Sequence, residues 1–237
     1  MTRRARPGPP AVVRATAIVP VLDEEAALPG MLDHLAALPG DWDVIVADGG
    51  SRDGTVEVAR SRGVLVVEAP RGRAAQQNAG AAAATGDVLV FVHADSRLPQ
   101  TAHASLTSAL ADPGVAGGNF ALRFDGADRF SRVLGAWYAV QRRLGVWYGD
   151  STIWIRPDVF AALGGFPAIP IMEDYALVRA LRRAGATRCL PGPATTSGRR
   201  WRSLGIARTV ASWVVIRWLW LAGVPAERLR ALYPDVR

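Results

Sequence analysis

The run VFVHADSRLP, residues 90–99, takes an apolar strand straight into an imidazole and a carboxylate, His93 and Asp95. Two earlier apolar runs end the same way: AIVPV stops just short of Asp23, and DVIVAD closes on Asp48. A carboxylate at the mouth of a parallel sheet can meet a ribose hydroxyl, a base edge or a divalent metal. Singly, each of these acids reads more readily as a helix cap or turn former, and a cap is the simplest reading of Asp53. It is their convergence that marks a site. Downstream, IMEDYALVRALRRAG sets Glu173 and Asp174 at a helix start, where acids also complement the helix dipole, so position alone leaves a proton-accepting role open. Asp150 in YGDS is equally open between turn and ligand. RGRAAQQNAG presents Arg71 and Arg73 just before a helix, and both arginine forks and helix N-terminal amides favour phosphate oxygens. A solvated basic turn is the alternative, weaker for Arg73 than for Arg71.

The elements that must position these groups alternate from Ala15 to Val92: apolar runs at 15–21, 43–48, 64–69 and 87–92, with alanine-rich helical stretches at 24–38, 53–62 and 73–84 between them. Short continuous apolar strands separated by helices predict an α/β fold, a Rossmann-like, mostly parallel sheet with helices on both faces. The second half predicts a strand near 115–124, a helix near 128–144, an extended YGDSTIWIRP and a helix opening at Glu173. No repeat or low-complexity linker divides the halves. The expected organisation is a disordered basic arm at 1–14, one domain at 15–205, and a C-terminal apolar helix and tail at 206–237. ADGGSRDGT lacks the G-x-G-x-x-G spacing of a dinucleotide site.

Composition removes several chemistries. The 237 residues include no lysine, so all 28 basic side chains are arginine, and neither a Walker-type phosphate lysine nor a Schiff-base lysine is present. Cys189, the single cysteine, allows neither an internal disulfide nor a structural zinc cluster, and suits a reducing, cytoplasmic compartment. A net charge of +7 points to anionic partners, nucleotide phosphates or acidic lipid. Nucleic acid is disfavoured because the arginines are dispersed rather than gathered with aromatics along one element. The N-terminus shows no apolar core of signal-peptide length. Thr209–Val224 is apolar for 16 residues except Arg217, short of the roughly 20 that span a bilayer. A buried helix, peripheral contact with the inner face of a membrane, and a homodimer contact all remain open for it.

The ordered set AIVPVLDEE, VIVADGGSRDGT, RGRAAQQNAGAAAATGD, VFVHADS, GGFP and MEDYALVRALRRAG resembles the family 2 glycosyltransferases of the GT-A fold, over roughly Ala15 to Arg202. HADS, YGDS, IPIMED and TTSGRRW are similar to a non-processive branch described as selenodomain-associated or arsenosugar-type. The resemblance implies a metal-dependent, inverting transfer of one sugar from a nucleoside diphosphate sugar to an unidentified acceptor. It implies that Asp95 binds Mg2+ or Mn2+, with His93, standing where the family has an acid, either a second ligand or a hydrogen-bonding neighbour. It implies that Pro20, Asp23, Glu24, Asp48 and Gly49 border the base and ribose. Arg73, Asn78, Ala94 and Asp150 would then line the diphosphate and sugar, and Arg199 and Arg200 would clamp the departing diphosphate. Asp174 would be the general base and Glu173 would position the acceptor. Ser197 stands where processive synthases carry the glutamine of Q-x-x-R-W, which argues against chain elongation. A nucleotidyltransferase of similar fold would need a glycine-rich signature and a lysine; a non-catalytic nucleotide-binding or membrane-surface protein would not need Asp95 and Asp174.

Overall fold

The computed structural model describes residues 13–126, 128–198, 202–203 and 205–233. β1 (Arg14–Val21), β2 (Asp41–Asp48), β3 (Leu65–Glu68) and β4 (Val88–Phe91) alternate with α1 (Leu28–Ala36), α2 (Thr55–Ser61) and α3 (Arg73–Ala83). There follow α4 (Ala102–Leu110), β5 (Val115–Phe124), α5 (Arg129–Arg143), a 3-10 turn at Gly149–Ser151, β6 (Ile153–Ile155) and α6 (Pro157–Ala162). The chain ends in α7 (Glu173–Ala184), β7 (Ala186–Thr196), α8 (Ile206–Leu221) and α9 (Ala226–Arg230).

The strands form one sheet in the order β3-β2-β1-β4-β6-β5-β7. β1 pairs in parallel with both β2 and β4, so the chain winds outward from β1 to β3 and then restarts on the other side. The carboxyl ends of β1 and β4 therefore flank a topological switch point, where a crevice opens in sheets of this kind. Asp23 follows β1, His93 and Asp95 follow β4, and Asp48 closes the neighbouring β2 at the same end of the sheet. β1 is buried on both faces. Ala15, Ala17 and Val19 face the core built with α1 and α4, whereas Ile18 joins Leu89, Phe91 and residues of α6 and α7 on the other side. Continuous apolar strands are what two covered faces require. α3 comes unusually close to β1 at Gly80, where a Cβ would sit 2.5 Å from Ile18 Cγ2. The missing side chain thus lets α3 carry its N-terminal arginine to the crevice.

Three features depart from the expected pattern. The extended stretch around YGDSTIWIRP is broken: a 3-10 turn precedes a short β6, which runs antiparallel to both β4 and β5 and makes the sheet mixed. β7 was not foreseen because ATRCLPGPATT carries Pro191 and Pro193, which cannot donate to a ladder. It is accommodated at the sheet edge, parallel to β5, with a register shift between Phe120 and Ala121 and Gly192 at φ +80°. The shorter α1 leaves residues 22–27 as turns, which hold Asp23 at φ +54°.

Candidate active site

At the β2–β3 end of the crevice, two loops are zipped together through backbone amides. Asp23 N–H donates to Ser51 Oγ at 2.9 Å, and Asp23 Oδ1 accepts from Arg52 N–H at 2.8 Å. Glu24 N–H donates to Thr55 Oγ1 at 2.8 Å, Glu25 N–H donates to Asp53 Oδ2 at 3.2 Å, and Gly54 N–H donates back to Glu25 Oε2 at 3.1 Å. Asp53, which also accepts from Thr55, is a loop lock beside the start of α2. Asp48 is buried and accepts from Gly50 N–H at 2.9 Å, Ser51 N–H at 3.1 Å and Ser51 Oγ, folding the DGGS turn around its own carboxylate. The result is a polar hollow of about 370 Å³, lined by Asp48, Gly50, Asp53, Val56, Glu57 and Glu68 among others. Pro20 pairs with Ala47 at the base of this wall.

Gln76, absent from the sequence expectations, fastens the wall. Its buried Nε2 donates to Val21 O at 2.6 Å and Ala47 O at 3.0 Å, tying together the ends of β1 and β2. Gly49 permits this, since a Cβ there would lie 2.9 Å from the Gln76 amide carbon. The available signal was a pair of glutamines on the core-facing side of an alanine-rich helix. Asn78 also turns to the backbone: its Nδ2 donates to Phe166 O at 2.8 Å and its Oδ1 accepts from Phe166 N–H at 2.9 Å. Both amide atoms thereby hold the GGFP loop against α3.

Across the crevice the HADS residues form a turn closed by Ser96 N–H donating to His93 O at 2.9 Å. Ala94 is buried in the core, and the Ser96 hydroxyl donates to Thr196 Oγ1 at the end of β7 at 3.3 Å. The turn that aims Asp95 is therefore anchored by the strand that the sequence hid. Arg199 and Arg200 follow it closely in the chain but lie outside the described residues.

The charged centre assembles from four separate elements. Arg73 at the start of α3 faces Glu173, Asp174 and Asp95; burial pulls its pKa down, and these carboxylates together with the Tyr233 hydroxyl outweigh that and raise it. Asp174 Oδ2 accepts from Gly149 N–H at 2.7 Å, and its Oδ1 accepts from Tyr175 N–H at 2.6 Å. A Cβ on Gly149 would meet Asp174 Oδ2 and His93 Nε2, each at 3.2 Å, so imidazole and carboxylate border one point. Glu173 is buried, and burial together with repulsion from Asp174 lifts its carboxyl to about 7 against the pull of Arg73. Asp150 is lifted to about 7 by the same two effects, opposed by the Tyr138 hydroxyl, the Ser151 amide and Arg73, and its Oδ1 is buried without a partner.

The raised Asp150 carboxyl has a sign that can be tested. A carboxyl protonated in the fold up to about 7 but ionised in the unfolded chain from about 4 makes stability fall as pH rises between those values, with the full cost present above 7. Asp150→Asn removes that cost. Allowing for partial solvent access, the variant is expected to melt about 3–6 °C above the wild type at pH 8, with the gain vanishing near pH 4. Equal melting temperatures at pH 8 would show that the fold does not raise the Asp150 pKa.

Among the described residues, no group of three or more His, Cys, Asp or Glu side chains could hold a metal ion by itself. Asp95 and His93, one turn at the crevice rim, offer two donors of a kind that Mn2+ or Mg2+ accepts. Such a set fits an ion that completes its sphere with water and phosphate oxygens rather than one caged by protein.

Residues 16–166 match Glycosyl transferase family 2, and the chain belongs to that family. It is a glycosyltransferase with a GT-A fold. Among solved structures it is similar to the mannosyltransferase PcManGT from Pyrobaculum calidifontis in complex with GDP-Man and Mn2+, at TM-score 0.66 and 19% identity over 94% of this chain and 67% of that one. It is also similar to glucosyl-3-phosphoglycerate synthase from Mycobacterium tuberculosis with Mn2+, UDP-glucose and phosphoglyceric acid, at TM-score 0.63 and 21% identity over 94% and 87%. A third is S. aureus TarS 1-349, at TM-score 0.64 and 14% identity, where the match covers 78% of this chain and 60% of that one. No curated protein sequence matches the chain significantly.

Proposed function

We propose that this glycosyltransferase moves one sugar, with inversion, from a nucleoside diphosphate sugar to an acceptor hydroxyl, and that it does so with Mn2+ or Mg2+ bound at Asp95. The observation that carries the reading is the convergence of Arg73, Asp95, His93 and Asp174 beside the switch point, next to a polar hollow floored by Asp48. Base and ribose occupy the hollow over Asp48, with Asp23 and Glu24 on the adjoining loop that bonds to Ser51 and Thr55. The diphosphate lies toward Arg73 and the α3 N-terminus, where a guanidinium fork and free amides favour its oxygens. The metal, when bound, supplies positive charge to the leaving diphosphate.

On the acceptor side Asp174 takes the hydroxyl proton, held in place by the Gly149 amide. Glu173, buried beside it, shapes the acceptor pocket. Asp150, with an unsatisfied buried oxygen, is free to hydrogen-bond the sugar or the acceptor. The Mn2+ and nucleotide sugars present with PcManGT and glucosyl-3-phosphoglycerate synthase support this donor chemistry. The resemblance of HADS, YGDS and IPIMED to the non-processive selenodomain-associated or arsenosugar-type branch, together with Ser197, supports single addition.

A panel of nucleoside diphosphates tested for thermal stabilisation with and without Mn2+ checks the reading. One base is expected to raise the melting temperature markedly, in a Mn2+-dependent way, because a ligand at about 100 times its Kd stabilises by ~2.7 kcal/mol. Absence of stabilisation by every member would sink the donor assignment.

A further inference from the structure

We propose that α5 and α8 together form a docking face that seats the protein on a bilayer surface bearing anionic headgroups. The 16-residue α8 is about 24 Å long, less than a bilayer core, and no helix among the described residues is long and apolar enough to cross a membrane. Neither is α8 a buried core helix. One side of it packs inward: Ile216 joins Met172, Tyr175 and Leu229, and Trp220 meets the Tyr175 ring edge-on at 5.4 Å. Arg217, the charge that interrupts the apolar run, also points inward, donating from Nη1 to Gln141 Oε1 of α5 at 3.0 Å and lying over the Tyr175 ring. The outward side is thereby left apolar, with Val214, Val215, Trp218 and Leu221 exposed.

α5 repeats the arrangement. It meets α8 through Tyr138 and Trp213, whose ring centroids are 6.5 Å apart, and packs on β5 through Leu134 and Tyr138. Val133, Trp137, Val140 and Leu144 recur at helical spacing as one solvent-facing stripe. Exposure reaches 57% at Trp137, 67% at Trp218 and 72% at Leu144, values that core or isolated surface residues of this size rarely show together. Each stripe adjoins the α5–α8 seam: Trp137 and Val140 sit beside the seam residues Tyr138 and Gln141, and Val214 and Trp218 sit beside Trp213 and Arg217.

Charge selects the occupant. Neither helix contains an acidic residue, and Arg129, Arg132, Arg143 and Arg208 are exposed on them. Asp128, just before α5, is occupied by capping Ser131. A two-fold contact with a second copy would set this basic patch against itself, with Asp128 as the one carboxylate adjoining either helix start to offset four exposed arginines. Anionic headgroups neutralise it directly, and tryptophans beside arginines on an amphipathic face are the composition of helices that lie in the interfacial plane. The site is close to this face, because the Tyr138 hydroxyl on α5 reaches Asp150. Docking would therefore hold the acceptor side near the lipid surface.

The test uses the full chain without nucleotide or metal, so that it stands apart from the donor reading. The protein is expected to co-sediment with vesicles of phosphatidylglycerol and phosphatidylcholine at low salt, to be released by high salt, and to bind vesicles of phosphatidylcholine alone far more weakly. The double variant Trp137→Ser, Trp218→Ser is expected to lose about tenfold or more in vesicle affinity with an unchanged melting temperature. Should that variant fold poorly, Val140→Glu with Leu144→Glu gives the same readout on exposed α5 positions. Failure to co-sediment at low salt, or wild-type binding by folded variants, overturns the proposal. So does a concentration-dependent dimer that the same substitutions dissociate, which would make the face a contact between copies.

Discussion

Replacing Asp174 by Asn is expected to cut sugar transfer by about a hundred- to ten-thousand-fold while leaving donor affinity nearly unchanged. An Asn oxygen can accept the same 2.7 Å bond from the Gly149 amide, giving up the bond from its own neighbour Tyr175 N–H, and the substitution removes the group proposed to take the acceptor proton. In the proposed reading, donor binding rests on other residues: the hollow at Asp48, the arginine at the start of α3 and Asp95. Calorimetry of the nucleoside diphosphate and product analysis by magnetic resonance separate the two effects. Glu173→Gln is the discriminating control. It is expected to cost less, because Glu173 is buried and holds its proton to about 7, which makes it a poor competitor for the acceptor proton below that pH. Loss of transfer in Glu173→Gln with activity retained in Asp174→Asn would move the base by one residue, and retention of anomeric configuration would replace the mechanism.

The second large effect is expected at Asp95. Asp95→Asn should weaken Mn2+-dependent binding of the nucleoside diphosphate by about a hundredfold, with little change in the affinity measured without metal. The HADS turn is fastened by its own Ser96–His93 bond and by Thr196, neither of which uses the Asp95 side chain, so the fold should survive. His93→Ala divides the two roles left open for the imidazole. A loss comparable to that of Asp95→Asn makes it a ligand. A loss of transfer without loss of Mn2+-dependent binding makes it a neighbour of Asp174, which the shared approach to Gly149 allows. Unchanged Mn2+ dependence in Asp95→Asn would remove the metal from this turn.

The alternation of apolar strands and alanine-rich helices up to Val92 was legible in the sequence because a strand covered on both faces leaves an uninterrupted apolar run, as in β1, the end of β2 and β4, while β3 keeps an apolar run at the half-exposed sheet edge. Acids at the ends of such runs mark the crevice in advance, since strand direction alone decides which end of the sheet they occupy. The order of the motifs identified the family, and the match to residues 16–166 agrees. What no local pattern could decide was the second half of the sheet. β6 is three residues long and antiparallel, and β7 hides two prolines that only an edge position tolerates. The same limit applies to roles. Gln76 and Asn78 are two residues apart and face opposite ways in an ordinary-looking helix, and only packing shows that they hold the backbone of β1, β2 and the GGFP loop. Arg217 looked like a break in an apolar segment until α5 supplied Gln141 for it to face, which left the outer side of α8 without charge. Residue type and order set which groups could do the chemistry, but their meeting at Gly149 depends on contacts between segments far apart in the chain, and such contacts are a property of the packed fold.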